Sequence, residues 1–214
     1  QEIGLEPANQ GSFTQDVPLA GVRVTNSPDL VISGADGEVS LAYGPDQVIF
    51  TRRQMDGGEL DQSELVFVGY GINAPERGWN DYEGIDVTGK TVVMLVNDPG
   101  YATQDPELFE GNTMTYYGRW AYKYEEAARQ GAAAALIVHE TEPASYPWEV
   151  VSNSWSGPQF ELAERGDDPI MALEGWITVD AARDLSSPIV SITGVGQSDI
   201  DVSSDGDVLI LMGR

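Results

Sequence analysis

The chain has 214 residues, with 35 acids against 11 lysines and arginines, one histidine and no cysteine, for a formal charge of −24. Such a charge disfavours nucleic acid and anionic lipid as partners, because both would be repelled, and the lack of thiols removes thiol catalysis, zinc thiolates and disulfides. A chain of this length can bury roughly 70% of the surface its unfolded form exposes, enough for one sizeable domain without a metal or disulfide.

Residues 1–62 carry short β-prone runs at 22–25, 30–32, 39–43 and 48–51, broken by Asn26-Ser27-Pro28, Ala35-Asp36-Gly37 and Gly44-Pro45-Asp46. This alternation of runs and turn residues predicts an antiparallel meander or sheet edge. A further strand is expected over 64–68, followed by a loop over 69–84 rich in glycine, aromatics and acids. Residues 91–96 (TVVMLV) and 132–138 are apolar without alternation, the pattern of strands covered on both faces. Between them, Tyr117, Trp120, Ala121, Tyr124, Ala127 and Ala128 recur three or four apart, with Arg119, Lys123, Glu125, Glu126 and Arg129 on the other side. Thr115 is the expected cap, Glu125 and Arg129 can pair one turn apart, and Gly131 suits the left-handed turn that ends a helix. Strand, helix and strand in this order imply a parallel crossover.

A long irregular segment over 141–168 follows, holding Trp148 and Trp155; loops of this length are commonly functional or packed against a partner. Residues 170–173 are expected as strand, 178–185 as a short helix, and 189–193 and 208–211 as closing strands with a turn at Asp205-Gly206. The domain division expected is 1–63 as N-terminal strands joining the core, 64–186 as the core, and 187–214 as closing strands of the same domain. No apolar run reaches the length of a membrane span. A start at Gln1 suggests processing or excision from something longer.

Four patterns invite chemistry. Gly69-Tyr70-Gly71-Ile72-Asn73-Ala74 fits a dinucleotide glycine pattern, yet Pro75, Gly78 and Trp79 follow, so no helix opens and a plain turn is favoured. Residues 201–207 resemble the first half of a calcium loop, but Met212 stands where the bidentate glutamate belongs, favouring a solvated hairpin turn near Asp201. His139 with Glu140 and Glu142 lacks the second nitrogen ligand of a zinc site and any activated serine. A strand-end histidine bonded to a neighbouring loop is expected instead. Trp79-Asn80-Asp81-Tyr82-Glu83 has the aromatics and acids of a glycosidase cleft, though a packed turn is the preferred reading.

Three stretches carry a family likeness: ELVFVGYGINAPERGWNDYEGIDVTGKTVVMLVNDPG (64–100), LFEGNTMTYYGRWAYKYEEAARQGAAAALIVHE (108–140) and ASYPWEVVSNSWSGPQFEL (144–162). They resemble the protease-associated (PA) domain of bacterial zinc aminopeptidases, in the broad family that includes glutamate carboxypeptidase and the transferrin receptor. IGLEPANQGSFTQDVPL (3–19) is similar to the join at which such enzymes enter their PA insert, and the likeness fades after about Leu185. The resemblance implies an α/β fold: an open barrel or sandwich of mixed strands with a parallel crossover core and two flanking helices. It further implies a non-catalytic module of a secreted or periplasmic aminopeptidase, bordering the active-site cleft and contacting peptide substrates and the peptidase domain. The family's zinc ligands have no counterparts here, so zinc is expected only in a peptidase domain outside this chain, with no cofactor and no catalytic residue within it. An accessory role calls for an exposed aromatic and polar rim, with Trp79, Asp81, Tyr82, Tyr116, Arg119, Trp148 and Trp155 as candidates. For Trp148 and Trp155, pinning their loop to the core is favoured. The alternative is an independent peptide- or carbohydrate-binding module.

The acidity has two readings, adaptation to salt or an ordinary solubilising surface. Self-repulsion falls as the screening length drops from about 10 Å at 0.1 M to about 3 Å at 1 M. Melting in low and in molar potassium chloride separates them: salt adaptation raises the midpoint in molar salt, and an unchanged midpoint leaves the ordinary acidic surface.

Overall fold

The computed structural model describes residues 4–24, 29–34, 37–54, 63–164, 166–185 and 189–193. In chain order the first half forms β1 (Leu19–Val22), β2 (Leu30–Gly34), β3 (Gly37–Leu41), β4 (Gln47–Phe50), β5 (Leu65–Phe67), β6 (Asn73–Ala74), β7 (Trp79–Asn80), β8 (Thr91–Leu95) and α1 (Pro99–Thr103). The second half forms α2 (Trp120–Arg129), β9 (Ala134–His139), α3 (Thr141–Ala144), α4 (Trp148–Trp155), β10 (Gln159–Leu162), β11 (Leu173–Thr178), α5 (Val179–Asp184) and β12 (Ile189–Thr193). Single 3-10 turns lie at Pro75–Arg77 and Tyr116–Gly118.

The central sheet has the order β4-β11-β9-β8-β5. β5, β8, β9 and β11 run parallel, and β4 closes one edge antiparallel to β11. Apolar side chains of β8, β9 and β11 alternate between two faces, and both faces are covered. One meets α2 and α4: Val92, Met94, Ile137 and Trp176 pack with Tyr124, Ala127, Ala128 and Val151. The other meets the β2–β3 hairpin and α5: Val93, Leu136, Val138 and Ile177 pack with Leu30, Ile32, Leu41, Ala181 and Leu185. Together with β12, β2 and β3 form a three-stranded antiparallel layer, so the architecture is a mixed α/β sandwich. Among the described residues no helix is long and apolar enough to cross a membrane.

The crossover from β8 through α2 to the parallel strand β9 is as the pattern predicts. Gly131, at φ 85°, ends the helix: its amide reaches Ala128 O at 3.0 Å and the next amide, of Ala132, reaches Ala127 O at 3.0 Å, the paired bonds of a Schellman stop. Several expectations are corrected. Thr115 does not cap α2, because its hydroxyl is committed to Asp98, and the first turn has no side-chain cap. Lys123 and Glu126 are buried rather than solvated, at 0% and 5% exposure, while Trp120 on the expected apolar face is 40% exposed. The helix is therefore rotated from its simplest amphipathic reading by polar partners that the sequence pattern does not show.

The segment over 141–168 is also more regular than expected, holding α3, α4 and β10. Pro147 precedes the first turn of α4 and Pro158 follows its end, positions where proline costs no helix hydrogen bond. β10 pairs antiparallel with β1, more than a hundred residues earlier, and this pairing leaves no local signature. β1 starts at Leu19 rather than near residue 22, and the strand expected at 170–173 forms instead over Leu173–Thr178. The helices number more than two. The strand expected at 208–211 and the loop near Asp201 lie outside the described residues.

A buried ion pair ties β11 to the segment after β4: Arg52 donates to Glu174 Oε1 from Nε at 3.0 Å and from Nη2 at 2.8 Å, with the Glu174 side chain only 1% exposed. Removing one partner leaves a buried charge uncompensated. Arg52→Met is expected to lower unfolding free energy by about 3 kcal/mol, and the double change Arg52→Met with Glu174→Met to recover much of that loss, measured by urea denaturation.

Candidate functional site

Four parallel strands deliver their carboxyl ends to one edge of the sheet, where ligands of open α/β sheets commonly sit. Here the chain turns sharply. After β5, Gly69 (φ 56°) and Gly71 (φ 63°) fold the backbone back, with the Gly71 amide on Val68 O at 2.7 Å. A Cβ on Gly71 would stand 2.7 Å from Met94 Sδ, so the turn is pressed against β8. The glycine run then enters β6, the 3-10 turn and β7, a small antiparallel excursion with no helix at its start.

Asp81 holds that excursion together. Its Oδ2 accepts from the amides of Tyr70 (3.1 Å) and Ile72 (2.9 Å), and its Oδ1 accepts from Trp79 Nε1 (2.9 Å). Burial pushes the Asp81 carboxyl above its ordinary pKa, against the pull of these bonds and of Lys123. Trp79 also stands edge-on to Phe109 at 5.6 Å. Tyr82 is 4% exposed, its hydroxyl finds no partner, and burial pushes its pKa up. Trp79, Asp81 and Tyr82 are thus committed to the loop's own interior.

After β8, Asn97 takes φ 68° and donates from Nδ2 to Pro143 O at 2.8 Å. Asp98 follows, fully buried, and its Oδ2 accepts from the Thr115 amide (3.0 Å) and hydroxyl (2.7 Å), while its Oδ1 has no partner. Lys123 reaches from α2 toward this edge. Its ammonium is fully buried, donates to Tyr70 O and lies 5.8 Å from the Tyr70 ring. Burial lowers its pKa to about 7, opposed by the charges of Asp81 and Asp98.

His139 ends β9 as expected, its Nε2 3.0 Å from Tyr146 O. A carbonyl can only accept, so that nitrogen carries the proton. The ring stands among Tyr146, Trp148 and Trp176, and burial lowers its pKa. Trp148 donates from Nε1 to Gly44 O at 2.8 Å, and Trp155 stacks on Phe50 at 4.2 Å. Both are half-buried, so both fasten α4 to β4 and its approach.

Two of the expected rim residues stand open: Tyr116, 57% exposed, and Arg119. They join the two ends of a single 3-10 turn, with the Arg119 amide on Tyr116 O at 3.2 Å. Trp120, unforeseen as a surface residue, continues this face and meets Trp155 edge-on at 5.0 Å. Among the described residues no group of three or more histidine, aspartate and glutamate side chains could hold a metal ion.

No family model and no curated protein matches the chain. A solved structure does. It is an aminopeptidase from Aneurinibacillus sp. strain AM-1, 18% identical, with a TM-score of 0.37 over 83% of this chain and 32% of that one. The present chain therefore spans a minor part of that protein's length.

The residues that sequence reasoning missed are the buried ionic ones, Asp98, Lys123, Glu126 and Glu174. One signal was available: Lys123 is one of only two lysines, set in an otherwise aromatic and alanine-rich helix. Its lowered pKa has a definite sign. Between pH 7 and the ordinary lysine value of 10.5 the unfolded chain binds a proton that the folded one does not, so stability rises with pH across that window and is flat below it. Urea unfolding at steps from pH 7 to 9 is expected to show a gain on the order of 1 kcal/mol per pH unit. Lys123→Met should lose this slope, and an identical slope in the variant would place the titrating group elsewhere.

Proposed function

We propose that the chain is a non-catalytic protease-associated module of a secreted or periplasmic zinc aminopeptidase, bordering its active-site cleft and governing substrate access or protein contacts. Zinc and the hydrolytic residues belong, in this reading, to a peptidase domain outside the chain. The sequence likeness over residues 64–176 and the mixed sandwich with a parallel crossover agree with it.

The observation that carries the reading is the outer face of the β1–β10 ribbon. The register sets Leu19 opposite Leu162 and Gly21 opposite Phe160, so these residues share one side. Leu19, Leu162 and Phe160 are 58%, 54% and 67% exposed. The alternate residues Ala20, Val22, Gln159 and Glu161 are half-buried, with Glu161 3.9 Å from Arg52. The outer face is thus apolar and uncharged on a protein of charge −24, and such faces commonly mark contact sites. In sequence β1 lies at the end of the stretch similar to the join with a peptidase, where Phe13 and Val17 are also exposed. The open Tyr116 and Trp120 favour a second reading, an independent peptide-binding module.

The chain alone, supplied with zinc, is expected to leave aminoacyl chromogenic substrates uncleaved, and zinc-dependent turnover would overturn the reading. Association with its separately produced peptidase domain, followed by sedimentation, should weaken by about 30-fold for each of Leu19→Ser, Phe160→Ser and Leu162→Ser, from roughly 2 kcal/mol of lost apolar burial apiece. Unchanged association in all three would remove the ribbon from the contact.

A further inference from the structure

Among the described residues most of the positive charges are in use. Arg52, Arg77, Lys90, Arg129 and Arg183 each face a carboxylate. Arg53 donates to Ile170 O and Lys123 is buried on Tyr70 O. Among the described residues only Arg23 and Arg119 are exposed cations with no side-chain partner. Arg119 differs from Arg23 in its neighbours along the chain: Tyr116, at the other end of its 3-10 turn, and Trp120, the next residue, both carry exposed rings.

That setting is built rather than incidental. Tyr116 and Arg119 are held in one turn, and Trp120 is braced by Trp155, which is itself stacked on Phe50. The two acids that touch this turn are both engaged: Glu125 by the Tyr116 hydroxyl at 3.1 Å and by Arg129 at 3.9 Å, and Glu76 by the Tyr117 hydroxyl at 2.5 Å and by Arg77 at 3.9 Å. The neighbouring end of α4, Ser152-Asn153-Ser154-Trp155-Ser156, carries no charge. An exposed guanidinium with no side-chain partner offers paired donors to a carboxylate, and the braced tryptophan next to it in the chain offers an apolar seat to the group beside that carboxylate.

We propose that Arg119, Trp120 and Trp155 receive the carboxyl terminus of a peptide, the α-carboxylate on Arg119 and the last side chain against the two tryptophans. The inference rests on the reading of the chain as a module beside a peptidase cleft, and it names the substrates as peptides with a free carboxyl end. The adjacency of Arg119 and Trp120 selects the α-carboxylate over an acidic side chain. A terminal residue carries its carboxylate and its apolar side chain on the same α-carbon, whereas an internal glutamate must leave the aromatic seat to another residue.

Two-dimensional ¹H–¹⁵N spectra of the full 214-residue chain test this through the indole Nε1–H signals of Trp120 and Trp155. The probes are acetyl-Ala-Ala-Phe with a free carboxylate, its carboxamide, and acetyl-Ala-Glu-Phe carboxamide. The free acid is expected to shift both signals saturably, with Kd of roughly 1–10 mM, and both carboxamides to bind about fivefold more weakly, the scale of an exposed ion pair. Arg119→Gln should erase the advantage of the free acid, Arg119→Lys should keep part of it, and Trp120→Ala should weaken all three probes. Equal binding of free acid and carboxamide, a glutamate carboxamide matching the free acid, or no saturable shift would overturn the proposal. Leu162→Ser, on the outer face of the ribbon and not among the proposed contact residues, should leave the titration unchanged. Association with the peptidase domain that the ribbon substitutions leave unchanged, with this titration intact, would therefore sink the docked-module reading alone, and ribbon-dependent association without the titration would sink only carboxylate recognition.

Discussion

Backbone leaving the carboxyl edge of a covered parallel sheet must have its amides and carbonyls satisfied without water, and this constraint governs that end of the molecule. Three ionisable side chains meet it. Asp81 gathers the amides of Tyr70 and Ile72, Asp98 gathers that of Thr115, and Lys123 takes the carbonyl of Tyr70. Each is placed by a different element, so the turns after β5 and β8 are tied to each other through the start of α2. The desolvation of Lys123 is a standing cost, offset by two carboxylates of opposite charge nearby.

Because those groups face inward, the chemistry-bearing residues of the loops are consumed by structure. Trp79, Asp81 and Tyr82 close a small excursion on itself, and His139 is locked by the Tyr146 carbonyl within an aromatic box. Side chains left facing solvent are of another kind: the apolar face of the β1–β10 ribbon and the turn bearing Tyr116, Arg119 and Trp120. Rigid support beneath exposed apolar and aromatic groups suits recognition, since little conformational freedom is lost when a partner arrives.

Much of this was legible in the residues and some was not, for physical reasons. The unbroken apolar runs of β8 and β9, the helix between them and its glycine stop are local patterns, and they form as read. The short helix expected over 178–185 forms as α5, with Thr178 standing just outside it as the cap that accepts from the Ala181 amide at 3.1 Å. Long-range pairing is different: β1 with β10 joins residues 19–22 to 159–162, and nothing within either segment specifies the other. Helical periodicity placed Lys123 and Glu126 in solvent because it weighs polarity alone, whereas the fold supplies Tyr70 O to the lysine and Asn73, Arg129 and Gln130 to the glutamate. Trp148 and Trp155 fasten their segment through the Gly44 carbonyl and the Phe50 ring, while Trp120, 40% exposed, meets Trp155 only edge-on.

Hydrogen exchange on the chain with and without its peptidase domain tests the docking role most directly. Protection of the amides of Leu19–Val22 and Gln159–Leu162, with the buried turns around Asp81 and Asp98 unchanged, is the expected result. Exchange at the ribbon that is the same in both states, or protection confined to the opposite side of the domain, would contradict a module seated on its partner through this face.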